Sequence, residues 1–172
     1  VMDGTDAVML SAETATGRYP VKAVEAMARI CVAAERQRTP ERSLASLDQH
    51  FERIDEAIAM ATMYTAQHMH ADAIIALTES GTTALWMSRA DTQIPIYALT
   101  RHPLTRQRMT LCRGVYTVDF APSQLDSSRP VREAIECLVS RGDIKPGQRV
   151  LVTKGDFTGP GGTNTMKIVT VP

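Results

Sequence analysis

The chain has 172 residues, 44% of them hydrophobic, with 19 basic and 19 acidic side chains and no net charge. That supplies one core-bearing domain, or one domain and a piece of another, and the balanced charge, with no basic run, argues against nucleic acid and membrane surfaces as partners. No apolar stretch approaches the roughly 18 residues of a membrane span, no signal peptide is expected, and Cys31, Cys112 and Cys137 are odd in number and far apart. The cysteines suit neither a disulfide framework nor a zinc site, so buried free thiols in a reducing, cytoplasmic compartment are expected. Position 1 is Val rather than Met, which points to a chain trimmed from a longer one.

In chain order, Ala7–Leu10 is a short apolar run that reads as a buried strand with no partner strand before it. Pro20 then starts a helix over residues 20–36, with Val24, Met27, Ala28, Cys31 and Val32 at helical spacing. Arg36–His50 is polar, contains Pro40 and reads as a linker. Asp55 caps a second helix in which Ile58, Ala61, Thr65 and His68 share a face. From Ala71 the pattern alternates between strand and helix. Ala73–Thr78 (AIIALT) and Ile94–Thr100 (IPIYALT) are strands, each followed by a turn and a helix, and the Thr residues closing them lie 22 positions apart. Val115–Phe120 is a third strand. A helix after Ser128 carries the stripe Val131, Ala134, Ile135, Leu138 and Val139, and Gly142 stops it. Arg149–Thr153 and the β-branched tail TMKIVTV complete the sheet. This order predicts an α/β fold: a mostly parallel five-stranded sheet with helices on both faces. No helix separates the last two strands, so the final one runs antiparallel, as a hairpin.

Two stretches can carry chemistry. TESGTT (Thr78–Thr83) lies where a strand ends and a helix begins, a place where free backbone N–H groups point outward. Gly81 permits close approach of an anion, and Ser80, Thr82 and Thr83 add hydroxyl donors. A phosphate monoester fits; ordinary helix capping by Ser and Thr explains the same residues. No Gly-Lys-Ser/Thr follows, so this is not a P-loop. KGDFTGPGGTNT (Lys154–Thr165) is too long for a tight turn and reads equally as a ligand flap or a plain connection. Side by side in the sheet, both stretches fall at its carboxyl edge, where open α/β sheets bind ligands. His50, His68, His70 and His102 make no constellation, and there is no nucleophile elbow. A G-x-G-x-x-G is also absent, which disfavours a dinucleotide-binding enzyme.

Asp3–Pro20 (DGTDAVMLSAETATGRYP) closely resembles the segment that closes the (β/α)8 barrel of pyruvate kinases. The resemblance continues through Val21–Glu35 and resumes at ALTESGTTA, LTRHPLT, CRGVY and TNTMKIVTV. It implies that residues 1–36 are the last strand and helix of a barrel, 37–50 a linker and 51–172 the C-terminal regulatory α/β domain. Family members transfer phosphoryl from phosphoenolpyruvate to ADP in glycolysis, using Mg²⁺ or Mn²⁺ and usually K⁺. The catalytic lysine, metal carboxylates and substrate threonine lie earlier in the barrel, so the resemblance assigns no catalytic or metal residue to this chain and implies that it is inactive alone. Thr16 stands where the family often has a nucleotide-contacting lysine.

The resemblance further implies that Thr78, Glu79, Ser80, Gly81, Thr82 and Thr83 hold an effector phosphate. The loop with Lys154, Gly155, Gly159, Gly161 and Gly162 would close over it. Phe157, next to Thr158, stands where fructose-bisphosphate-responsive members keep an arginine. That favours the bacterial branch answering to AMP or a sugar monophosphate, with Arg129 and Lys154 as possible second cations. C-terminal domains of the family pair across a two-fold axis, so a homo-oligomer is implied. The alternative from another class is a standalone α/β interaction domain that binds nothing small.

Overall fold

The structure, a computed structural model, describes residues 5–37, 50–90, 92–123, 129–156 and 162–172. Six helices and five strands follow in the order α1 (Ala12–Ala15), α2 (Pro20–Arg36), α3 (Ile54–His68), β1 (Ala73–Leu77), α4 (Thr82–Ser88), β2 (Ile96–Thr100), α5 (Pro103–Met109), β3 (Val115–Asp119), α6 (Arg129–Arg141), β4 (Arg149–Gly155) and β5 (Thr163–Thr170) among the described residues.

The strands form one sheet in the order β3-β2-β1-β4-β5. β1 runs parallel to β2 and β4, β2 runs parallel to β3, and β4 pairs with β5 antiparallel. The expected fold class therefore holds, hairpin included. β1 is central, and its side chains are buried on both faces, which is why it reads as a continuous apolar run rather than an alternating one. Ile74 and Ala76 face α3, α4 and Met109 of α5. Ala73 and Ile75 face Val131, Ala134, Ile135 and Leu138 of α6. Gly142 ends α6 at a φ of 78°, and the amides of Gly142 and Asp143 return to the carbonyls of Val139 and Leu138.

Four expectations shift. Ala7–Leu10 is not a strand, and Met9 is 85% exposed. A strand needs neighbours to complete its ladder, and among the described residues none pairs with Ala7–Leu10. The buried face of α3 is Asp55, Ala59, Thr62, Met63 and Ala66 rather than the Ile58–Ala61–Thr65–His68 face, because α3 packs on both α4 and the β4–β5 hairpin. Asp55 lies one residue inside the helix, whose N-cap is Arg53. Asp55 is 1% exposed and accepts from Arg53 Nε and Nη2 at 2.9 and 2.8 Å and from the Glu56 amide at 3.1 Å. The Arg53 hydrogen bond is the chief cause of its depressed carboxyl pKa. The three cysteines carry free thiols, each half-buried rather than buried.

α2 has the expected limits and no buried residue. Val21, Val24, Ile30 and Val32 are exposed, whereas Met27 and Cys31 are half-buried. Most of the expected linker, 38–49, lies outside the described residues.

Candidate functional site at the carboxyl edge of the sheet

β1 ends at Leu77, and the Thr78 amide still donates to the Leu99 carbonyl of β2 at 3.0 Å. The chain must then reverse within three residues to enter α4. Gly81 makes that possible with a φ of 84°, a region that penalises any residue with a Cβ. Its amide donates to Thr78 Oγ1 at 2.9 Å, which closes the turn on itself. A Cβ at Gly81 would also lie 2.8 Å from Met109 Sδ and 2.9 Å from its Cγ. The turn thus rests directly on α5.

The side chains of the turn divide into three sets. Ser80 and Thr82 share a hydroxyl–hydroxyl hydrogen bond of 2.8 Å at the surface. Thr83 is 2% exposed, and its Oγ1 lies 2.7 Å from Oγ1 of Thr163. That buried bond stitches the turn to the start of β5, the far side of the Lys154–Thr165 connection. Glu79 faces the neighbouring turn. Its Oε2 accepts from His102 Nε2 and, at 3.3 and 3.2 Å, from Arg101 Nε and Nη2. Its backbone carbonyl accepts from Thr105 Oγ1 at 2.9 Å.

At the hairpin, Lys154 Nζ lies 2.8 Å from Asp156 Oδ1, and the lysine side chain is only 14% exposed. Asp156 also accepts from Thr165 Oγ1 at 3.2 Å. The lysine hydrogen bond leads the causes that hold the Asp156 carboxyl below its ordinary pKa. Gly155 ends β4 and Gly162 precedes β5. Gly159 and Gly161, with Phe157 and Thr158, lie outside the described residues. Arg129 opens α6, where its charge helps to lower the Glu133 pKa after the dominant hydrogen bonds from Ser123.

Of the expected residues, Thr78–Thr83, Lys154 and Gly155 collect at one edge. Thr78–Thr83 stands beside the end of β4, with Lys154 one residue beyond the Ala76–Thr153 pairing. The Glu79–Arg101–His102 cluster is an addition. Its signal lay in the 22-residue spacing: Ala76 pairs with Ala98 and Leu77 with Leu99, so Glu79 and Arg101, each following its own Thr, are brought opposite one another. Among the described residues no three His, Cys, Asp or Glu side chains gather as a metal site, so none is assigned to a metal ion. No described helix is long and apolar enough to cross a membrane. At the opposite, amino edge lies a cavity of about 430 Å³, lined by Val32 and Arg36 of α2 with Ile94, Arg113 and Tyr116.

Comparison with known proteins places this architecture. The family described as "Pyruvate kinase, alpha/beta domain" matches residues 56–169. Pyruvate kinase II of Salmonella typhimurium is 47% identical over 99% of this chain. The pyruvate kinases of Haemophilus influenzae and Geobacillus stearothermophilus are 42% and 36% identical over 96% and 98% of it. The chain spans 36%, 34% and 29% of the length of these three relatives. The match begins within α3, runs into β5 and includes the Gly81 turn, and the chain belongs to the pyruvate kinase family, of which residues 56–169 form the alpha/beta domain.

Proposed function

We propose that this chain is the C-terminal effector-binding and subunit-association part of a pyruvate kinase, and that it binds a phosphate monoester at Thr78–Thr83. The parent reaction is phosphoryl transfer from phosphoenolpyruvate to ADP, which requires a cation clamp and carboxylate-held metal ions. The Mg²⁺ and K⁺ of that reaction belong to barrel residues outside this chain, which is inactive alone.

The observation that carries the reading is the turn itself. A left-handed Gly81 bares backbone at the carboxyl edge of the sheet, flanked by the Ser80 and Thr82 hydroxyls, with Lys154 on the adjacent strand. A phosphate oxygen replaces the Ser80–Thr82 hydrogen bond with two hydroxyl donors and gains first-turn amides that have no carbonyl partner within α4. AMP or a sugar monophosphate ranks ahead of fructose 1,6-bisphosphate, since Phe157 replaces the arginine of bisphosphate-responsive members. Association uses the exposed apolar side chains of α2 together with the α/β domain.

Thermal unfolding tests this. AMP or glucose 6-phosphate at 100 times its dissociation constant stabilises the fold by about 2.7 kcal/mol, a rise of roughly 5–10 °C. Thr82→Asp places a carboxylate against the phosphate and removes the rise. An equal rise in both proteins moves the site elsewhere.

A second reading has its own support. Ser80 satisfies Thr82, and Asp156 satisfies Lys154, so the edge is stable without a ligand, as in an interaction domain that binds nothing small. No rise with either nucleotide or sugar phosphate selects that reading.

A further inference from the structure

Glu79 is the one acidic member of the Thr78–Thr83 turn, and its side chain leaves that turn for the next one. A single oxygen, Oε2, accepts from His102 Nε2 and from both Nε and Nη2 of Arg101. The backbone of the turn is fastened by other means. Thr105 Oγ1 donates to the Glu79 carbonyl at 2.9 Å, and the Gly81 amide donates to Thr78 Oγ1. The carboxylate therefore contributes charge to this corner rather than the shape of the turn.

The cations along the carboxyl edge follow one pattern. Lys154 pairs with Asp156, Arg106 with Asp119, and Arg101 and His102 with Glu79. Asp119 closes β3 and Lys154 lies one residue before the end of β4, so these pairs line up beside the turn. The turn's own surface donors are uncharged, the hydroxyls of Ser80 and Thr82. Such a set suits one phosphate. A second phosphate calls for a cation, and those bonded to the turn are already held. The planar fork of an arginine fits phosphate as well as carboxylate, so the Glu79 carboxylate fills the place that a ligand's second anionic group would take.

We propose that Glu79 is the specificity-determining residue of the Thr78–Thr83 site, and that Arg101 and His102 form a second anion subsite which Glu79 keeps closed. Selectivity of this kind works by leaving the wrong ligand's charge unpaired. A second phosphate meets the Glu79 carboxylate as a like charge and finds its cations taken, whereas a monoester engages the hydroxyls alone. The proposal rests on the effector reading of the turn, and it gives the preference for a single phosphate a source among the described residues, apart from position 157.

Two ligand pairs that differ by one phosphate test this: glucose 6-phosphate against glucose 1,6-bisphosphate, and AMP against adenosine 3′,5′-bisphosphate. Their dissociation constants are measured by calorimetry at low ionic strength, where surface charges are least screened. The proteins are the chain as it stands, Glu79→Gln, Glu79→Asp, and Glu79→Gln combined with Arg101→Ala. The unmodified chain binds each monoester more tightly than its bisphosphate. Glu79→Gln keeps the size of the side chain and removes its charge, and it moves the ratio toward the bisphosphate by about tenfold or more. Glu79→Asp retains the original preference, and Arg101→Ala abolishes the gain. Glu79→Ala serves if Glu79→Gln does not fold. With the monoesters bound, a ratio unmoved by Glu79→Gln, or a gain that survives the loss of Arg101, overturns the proposal and leaves the effector reading standing. If neither monoester binds, the effector reading falls, and inorganic phosphate at fixed pH decides whether Glu79 closes the subsite. Phosphate then shifts the His102 ring resonances in Glu79→Gln and not in the unmodified chain; the same response in both overturns the closed subsite.

Discussion

Replacing Gly81 by Ala probes two separate demands of the turn, and their sizes can be separated. The first is conformational. Holding a residue with a Cβ in the left-handed region costs about 1–2 kcal/mol, of which about 0.4–1 kcal/mol is returned by the stiffer unfolded chain. The second is steric. The new Cβ meets Met109 Sδ and Cγ at 2.8 and 2.9 Å and Thr105 Cγ2 at 3.3 Å. Met109 is 3% exposed and has no open side to swing toward, so overpacking adds about 1–3 kcal/mol. The total is about 3 kcal/mol, or roughly 6–12 °C in melting temperature at about 2–4 °C per kcal/mol. Gly147 supplies the control. Its φ is 85°, and a Cβ there meets nothing within 4 Å, so Gly147→Ala carries the conformational part alone, about 1 kcal/mol. Urea denaturation of both variants, read from the midpoint at unchanged slope, measures the difference. Equal losses would show that the turn does not rest on α5 and would refute the packing argument.

Other outcomes follow from the same structure. A coupled assay of the purified chain with phosphoenolpyruvate, ADP, Mg²⁺ and K⁺ reads background; turnover near the usual ~1–100 s⁻¹ of kinases would contradict the proposal that this chain is inactive alone. Light scattering finds the chain self-associated, and Val24→Lys with Ile30→Lys on the exposed face of α2 weakens association; a monomer at high concentration in the unmodified chain counts against it. Asp55→Asn costs about 1 kcal/mol at neutral pH. Because the folded Asp55 pKa is depressed by Arg53, its contribution is present above the unfolded value of ~3.9 and fades as pH falls through the lower folded value. The gap between wild type and variant therefore closes in acid, and a gap unchanged from pH 7 to below pH 3 would show that Asp55 acts without its charge.

The sheet was legible in the sequence because its strands announce themselves. AIIAL and the VLV of RVLVT are unbroken apolar runs, as strands buried on both faces must be, and the absence of a helix between β4 and β5 dictated the hairpin. The Gly81 turn was legible for a similar reason, since a glycine at a strand-to-helix junction marks a left-handed reversal. Other features depended on partners distant in sequence. The buried face of α3 is chosen by α4 and β5, so local periodicity around Ile58 pointed to the wrong side. Ala7–Leu10 has the composition of a strand, but composition cannot supply the neighbours that complete a ladder. Asp6 reaches residues 83 and 107 positions away, and nothing local marks it. Glu79 and Arg101 lie between these extremes, foreshadowed by the 22-residue spacing but visible as a pair only once β1 and β2 are in register.

The central claim, that a phosphate monoester sits on the Gly81 turn, is tested most directly by following backbone amide resonances of the chain as AMP is added. The account predicts the largest shifts at Ser80, Gly81, Thr82 and Thr83, saturating with AMP and absent in Thr82→Asp. Shifts centred instead on Arg36, Arg113 and Tyr116 around the amino-edge cavity, or no shifts at all, would contradict it.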